Sequence, residues 1–173
     1  SKGITWLFHG NQGMTKLENG ETKTFAPSSF GGNLGSLMDM VELDDGRYLL
    51  ATQLGGLQYF DGENVSDANA DFPSSGPFYI DLFKDGKDIW MSTLTDGVVR
   101  YDGVSADTCS LMNGRLPSLQ INHMIKDSKG NIWFATAGEG LSCFNPTNEG
   151  VFTTFKTNHG VADNRVNSLT TDS

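Results

Sequence analysis

Asn131-Ile132-Trp133-Phe134-Ala135-Thr136-Ala137-Gly138-Glu139-Gly140 decides the fold, because a short run of alternating strand formers runs straight into a glycine-rich turn. Reading outward, Gln120 to Lys126 is a preceding strand and Asp127-Ser128-Lys129-Gly130 the turn that joins the two. On the other side Leu141 to Phe144 is a third strand, Asn145 to Glu149 a turn, and Val151 to Lys156 a fourth, outer strand. The unit is a four-stranded antiparallel meander. The same phrase returns as Ile89-Trp90-Met91 leading to Gly97, Tyr48-Leu49-Leu50 to Gly56 and Ile4-Thr5-Trp6 to Gly13. Seven residues before each glycine stand Trp6, Leu49, Trp90 and Trp133, spaced by 43, 41 and 43 residues; four before it stand His9, Thr52, Thr93 and Thr136. A period of about 42 residues with strand content points to propeller blades.

The predicted fold is therefore all-β, a β-propeller of four-stranded antiparallel blades, about four in number. Asp-Gly pairs at 45–46, 61–62, 85–86 and 102–103 supply the positive φ that tight turns need. The first unit begins at its second strand. The missing first strand has a match at the other end of the chain, where Arg165 to Ser173 follows the pattern of Leu119 to Ser128. The expectation is that the C-terminal strand, Val166 to Thr170, completes the first blade beside Ile4 to Phe8, which removes an exposed sheet edge. Blade 1 then comprises 1–26 plus 165–173, blade 2 37–66, blade 3 78–108 and blade 4 119–156. A four-blade ring, an eight-blade dimer and a piece of a longer array all satisfy this pattern.

A formal charge of −9 excludes a nucleic-acid backbone or an anionic membrane surface as the expected partner, since both need a positive face. No apolar run approaches the roughly 20 residues that span a bilayer, and no charged-then-apolar leader opens the chain, so it reads as a soluble piece without membrane insertion. Cys109 and Cys143 fit neither a zinc quartet nor a disulfide framework and read as thiols packed like small hydrophobes. No metal and no cofactor is expected. The acidic turn residues Asp44, Asp45, Asp61, Asp85, Asp102 and Asp127 lack calcium-loop spacing, and Gly138-Glu139-Gly140 lacks the following helix that a phosphate loop requires.

Ile121-Asn122-His123-Met124-Ile125-Lys126-Asp127-Ser128-Lys129-Gly130-Asn131-Ile132-Trp133-Phe134-Ala135-Thr136, closing on Gly138-Glu139-Gly140-Leu141, resembles the two-component regulator propeller repeat. His159 to Leu169 is similar to that family's inter-blade linker. The second unit departs from the pattern at Leu49 and the first at His9. The resemblance implies an extracytoplasmic, periplasmic sensor region of a hybrid two-component histidine kinase of gut-bacterial type, with glycans as ligand class and no catalysis of its own. Because four units make a small ring, the expected partner is a second copy in a homodimer or the neighbouring blades of a parent protein. A structural propeller that mediates dimerisation and a lyase- or hydrolase-like propeller enzyme remain as alternatives.

The repeated tryptophans and glycines read as scaffold, the former packing blade on blade. Recognition is expected on the rim, in loops carried by a rigid frame. Those loops are Ala26 to Asn33, Asp67 to Pro77, Cys109 to Ser118 and Thr157 to Arg165. The candidate ligand contacts are Phe30, Asn33, Phe72, Arg115, His159, His9, Gln53 and Glu139, chosen as polar or stacking side chains on that rim. No catalytic residue is assigned.

Overall fold

The structure, a computed structural model, describes residues 3–30, 34–72, 78–110, 112–147 and 151–172. The chain divides into two compact units, Ser1–Tyr79 and Ile80–Ser173. Among the described residues of the first unit, β1 (Ile4–Phe8), β2 (Met14–Glu18) and β3 (Glu21–Phe25) form one antiparallel sheet. A second sheet follows from β4 (Leu37–Glu42), β5 (Tyr48–Thr52), β6 (Gly56–Phe60) and β7 (Val65–Asp67), in sequence order. The third sheet holds β8 (Tyr79–Asp85), β9 (Asp88–Thr93), β10 (Val98–Tyr101) and β11 (Ala106–Cys109). The fourth, in the second unit, holds β12 (Ile121–Lys126), β13 (Ile132–Thr136), β14 (Leu141–Asn145) and β15 (Val151–Phe155). These are the meanders that the repeat predicts.

The turn that closes the phrase is built the same way three times. Thr136 Oγ1 donates to the Gly140 carbonyl at 2.8 Å and accepts the Glu139 N–H at 2.9 Å. Thr93 does the same with Gly97 and Asp96, and Thr52 with Gly56 and Gly55. These hydroxyls are buried, and the glycine carbonyls also accept the backbone N–H of Thr136 and of Thr93, so a residue lacking the hydroxyl would leave one backbone N–H of the turn without its acceptor. In the first sheet His9 stands at this position. Its backbone still bonds Gly13, but the chain runs through a short 3-10 turn, Gly10–Gln12, and the ring turns away to Thr15 Oγ1 at 2.9 Å. The glycine of the phrase has two reasons to be glycine. Gly140 has φ +86°, and a methyl on it would lie 2.1 Å from the carbonyl oxygen of Phe155, at the end of the outer strand.

In the first unit the core lies between its two sheets. Trp6 meets Tyr48, Phe60 and Phe25 at ring distances of 5.4, 5.7 and 5.9 Å, over Met14, Leu37 and Leu50. In the second unit Trp90 of β9 is nearly fully buried against Phe134 and Phe144 of the fourth sheet, with Val98, Cys109, Leu116, Ile121 and Met124 around it. Blade-on-blade packing is thus what these two tryptophans do. Leu49, where the repeat usually has Trp, is fully buried as well. Trp133 differs: it is half-buried, lies 5.6 Å from Phe155 of its own sheet, and donates Nε1–H to Asp127 Oδ2 at 2.9 Å. Cys109 sits in the core, where burial pushes its thiol up to about 11; Cys143 is also free.

Among the described residues the segment 166–172, expected as a strand over Val166 to Thr170, forms none, and the first sheet has three strands. Its backbone bonds to the fourth sheet. Arg165 bridges Ala137, Val166 N–H donates to the Thr136 carbonyl at 3.0 Å, and Asn122 Nδ2 donates to the Val166 carbonyl at 2.8 Å. Further on, Leu169 N–H donates to His123 Nδ1 at 3.1 Å. That last bond repeats one made a blade earlier, where Met124 N–H donates to Asp81 Oδ2 at 2.7 Å. Asp81 and His123 occupy the same position of the repeat, as do Met124 and Leu169. The C-terminal residues therefore lie against the fourth sheet as β12 lies against the third.

Candidate functional site

The rim of the second unit holds a groove of about 480 Å³, between the β9–β10 turn, the linker that enters β12 and the β13–β14 turn. Its apolar walls are Leu94, 43% exposed, together with Pro117 and Leu119; Thr95, Ser118, Gln120 and Glu139 add hydroxyl, amide and carboxylate groups. Each wall is held from behind. Gly97 N–H donates to the Leu119 carbonyl at 2.9 Å, and Ala137 N–H to the Gln120 carbonyl at 3.2 Å. Ser118 Oγ bridges the backbone of Gln120, donating to its carbonyl and accepting its N–H. The linker is thereby fixed to two turns at once, and the groove is preformed by backbone hydrogen bonds.

At its edge the Glu139 carboxylate pairs with Lys156 Nζ, so this margin is charge-balanced within an acidic chain. Lys156 also leads into a 3-10 turn, Thr157–His159. Its backbone N–H donates to His159 Nδ1 at 3.1 Å, and the His159 ring stands edge-on to Phe155. Asn164 closes the loop: its Oδ1 accepts Thr157 N–H and its carbonyl accepts Gly140 N–H at 2.7 Å. Glu139, Lys156 and His159 thus form one linked cluster beside the groove. Neutral donors and one balanced carboxylate over apolar walls suit an uncharged polar ligand with an apolar face.

Of the remaining candidates, Arg115 sits outside the groove lining. Its Nη1 bonds both carboxylate oxygens of Asp107, at 2.6 and 2.7 Å, and the guanidinium lies over the Phe152 ring. In the first unit, Gln53 exchanges bonds with Ser36, its N–H donating to the Ser36 carbonyl at 2.9 Å and its Oε1 accepting Ser36 N–H. His9 is exposed and bonded to Thr15. Phe30 and Phe72 are core residues, each 6% exposed: Phe30 packs on Phe60 and Phe72 on Tyr59. An aromatic in a Ser- and Gly-rich loop reads as a stacking platform, but here each ring packs on an aromatic of β6. Asn33 lies outside the described residues. Sequence reasoning named the loop Cys109 to Ser118 but missed Leu94, Leu119 and Gln120; the available signal was a leucine in the turn directly after Thr93.

Asp127 has a structural duty instead of a binding one. Its carboxylate accepts the backbone N–H groups of Lys129 and Asn131, the Asn131 side chain and the Trp133 indole, all within 2.9 Å. The indole and the Asn131 amide hold its pKa down to about 2. This is the physical content of the Asp-x-x-Gly-Asn-Ile-Trp phrase: one side chain orders the turn and aims the tryptophan. Asp61 and Asp102 order their own turns in the same way, accepting the N–H groups two and three residues on.

Successive antiparallel meander sheets recurring along the chain are those of a β-propeller, and solved structures agree. The chain is similar to the extracellular domains of two proteins of B. thetaiotaomicron named as hybrid two-component systems. For BT3049 the TM-score is 0.73 at 20% identity, over 95% of this chain and 22% of that one; for BT4673 it is 0.69 at 21%, over 89% and 20%. Virginiamycin B lyase from Staphylococcus aureus is also similar, with a TM-score of 0.60 at 14% identity, over 90% of this chain and 55% of that one. The chain thus spans about a fifth of the length of the two-component domains it matches. Within it, residues 115–138 match the family described as two component regulator propeller. No curated protein matches the chain.

Proposed function

We propose that this chain is part of the extracytoplasmic sensor region of a hybrid two-component signalling protein and that it binds a glycan in the Leu94–Glu139 groove, without catalysis of its own. The observation that carries the reading is the regulator-propeller repeat at 115–138, whose first residues run into the linker that forms one wall of the groove. A sugar presents an apolar ring face and outward hydroxyls. Leu94 and Pro117 meet the first, while Thr95, Ser118, Gln120 and Glu139 meet the second. Occupancy would hold the linker to both turns and favour one mutual arrangement of the third and fourth sheets. A ligand drives a signal only through such a difference in affinity between two arrangements.

The test is calorimetric titration with neutral oligosaccharides of defined composition, on the wild type and on Leu94→Ala and Gln120→Ala. Saturable heat that both substitutions weaken at least tenfold supports the reading. No heat with any oligosaccharide, together with unchanged melting temperature, removes it.

A further inference from the structure

The chain contains two Asn-Gly pairs, Asn19-Gly20 and Asn113-Gly114, and the structure places them in opposite situations. Asn19-Gly20 is the two-residue turn of the β2–β3 hairpin, closed by the pair Glu18↔Glu21. Both turn residues have positive φ, +52° for Asn19 and +83° for Gly20, as a type I′ hairpin requires. Both are exposed, and the space beside Gly20 is open to at least 4 Å. The Asn19 side chain makes no hydrogen bond among the described residues. Asn113, in contrast, is tied down at both ends of its amide. Its Oδ1 accepts Ser110 N–H at 3.0 Å and Arg115 N–H at 3.3 Å, and its Nδ2 donates to the Thr108 carbonyl at 2.5 Å.

We propose that Asn19 is a site of spontaneous deamidation and backbone isomerisation, and that the Asn113 amide is protected by its hydrogen bonds. In the reaction the Gly20 amide nitrogen loses its proton and attacks Asn19 Cγ. The new N–Cγ bond forms, the Cγ–Nδ2 bond breaks, and ammonia leaves. Water then opens the cyclic imide at either carbonyl, giving Asp or isoAsp at position 19. Only glycine leaves the attacking nitrogen without a Cβ beside it, and only an unheld amide can swing onto that nitrogen.

Across β2 and β3, Glu18 faces Glu21 and Lys16 faces Lys23, and Lys16 Nζ pairs with the Glu18 carboxylate at 2.6 Å. Residues 21–24 of β3 are exposed, and β3 is an edge strand. Conversion adds a third carboxylate between Glu18 and Glu21, and isoAsp also adds a methylene to the backbone of a two-residue turn. The product hairpin is therefore the less stable one.

The experiment ages the intact folded chain at mildly alkaline pH and follows two tryptic peptides by mass spectrometry, 17–23 and 101–115, with isoAsp scored by enzymatic methylation. The expected result is that 17–23 exchanges NH₂ for OH at least tenfold faster than 101–115, which is compared by mass alone because its Asp102-Gly103 also yields isoAsp, that 17–23 becomes methylatable as it does so, and that urea removes the difference in mass exchange. Equal rates in the folded chain, or faster conversion of 101–115, would overturn the proposal. Gly20→Ala, which keeps Asn19 but shields the attacking nitrogen, should slow conversion of 17–23 at least tenfold even in urea. A rate unchanged by that substitution would also overturn it.

Discussion

Trp90 and Trp133 hold the same place in the repeat but live in different surroundings. Trp90 is 2% exposed, pressed between the third and fourth sheets, and its indole N–H is buried without a hydrogen-bond partner among the described residues. Trp133 is half-buried, and its N–H is held by Asp127. One is fixed by packing, the other by a polar tether. The difference follows from the turns. Asp127 opens a four-residue turn that reaches the indole, whereas the β8–β9 turn is only Gly86-Lys87, between Asp85 and Asp88. Asp88 there bonds Arg100, whose guanidinium sits near the Trp90 ring. The repeat thus specifies a tryptophan, and the neighbouring sheet decides what that tryptophan contributes.

The largest effect should come from truncating the two rings. Trp90→Ala is expected to cost about 3–5 kcal/mol and Trp133→Ala about 1–2 kcal/mol, read from urea unfolding. Equal losses would break the comparison. The glycine of the phrase should not distinguish the sheets, because its tight contact is internal: a methyl on Gly97 would lie 2.4 Å from the Cys109 carbonyl and one on Gly140 2.1 Å from that of Phe155. Gly97→Ala and Gly140→Ala are each expected to lose at least about 2 kcal/mol in the same assay. Smaller is the gain at the exceptional turn. His9→Thr would restore the hydroxyl that Thr136 provides and stabilise the first unit by about 0.5–1.5 kcal/mol, seen as a higher urea midpoint.

The smallest effect is a pH dependence confined to Trp133. The Asp127 carboxyl is lowered from 3.8 to about 2, so its contribution is present above pH 3.8 and is lost as pH falls through about 2. The Trp133 indole N–H resonance should shift across that window while the Trp90 resonance stays still. Asp127→Asn should abolish the Trp133 shift.

Most strand positions were legible because the period-two pattern and the turn residues agree, as in Asn131 to Gly140. The rim was legible as a region and poorly as residues. Phe30 and Phe72 sit in loops of polar composition, yet long-range packing on Phe60 and Tyr59 draws them inward, which no local pattern reports. Glu139 was readable as a rim carboxylate, but its partner Lys156 is 17 residues away and lies at the far end of another strand. The C-terminal segment shows the limit most clearly. Its sequence matches an inner strand, and the matching side chain bond from His123 to Leu169 is present, but no ladder forms. Pattern identified its role in the repeat and not its pairing.

The central claim is that the repeated phrase is scaffold whose exposure is set by the sheet packed upon it. Acrylamide quenching of tryptophan fluorescence tests it directly, in Trp6→Phe/Trp133→Phe, which retains Trp90, and in Trp6→Phe/Trp90→Phe, which retains Trp133. The account predicts that Trp133 is quenched severalfold more efficiently than Trp90 in the folded chain and that urea makes the two equal. Equal quenching before unfolding, or stronger quenching of Trp90, would contradict it.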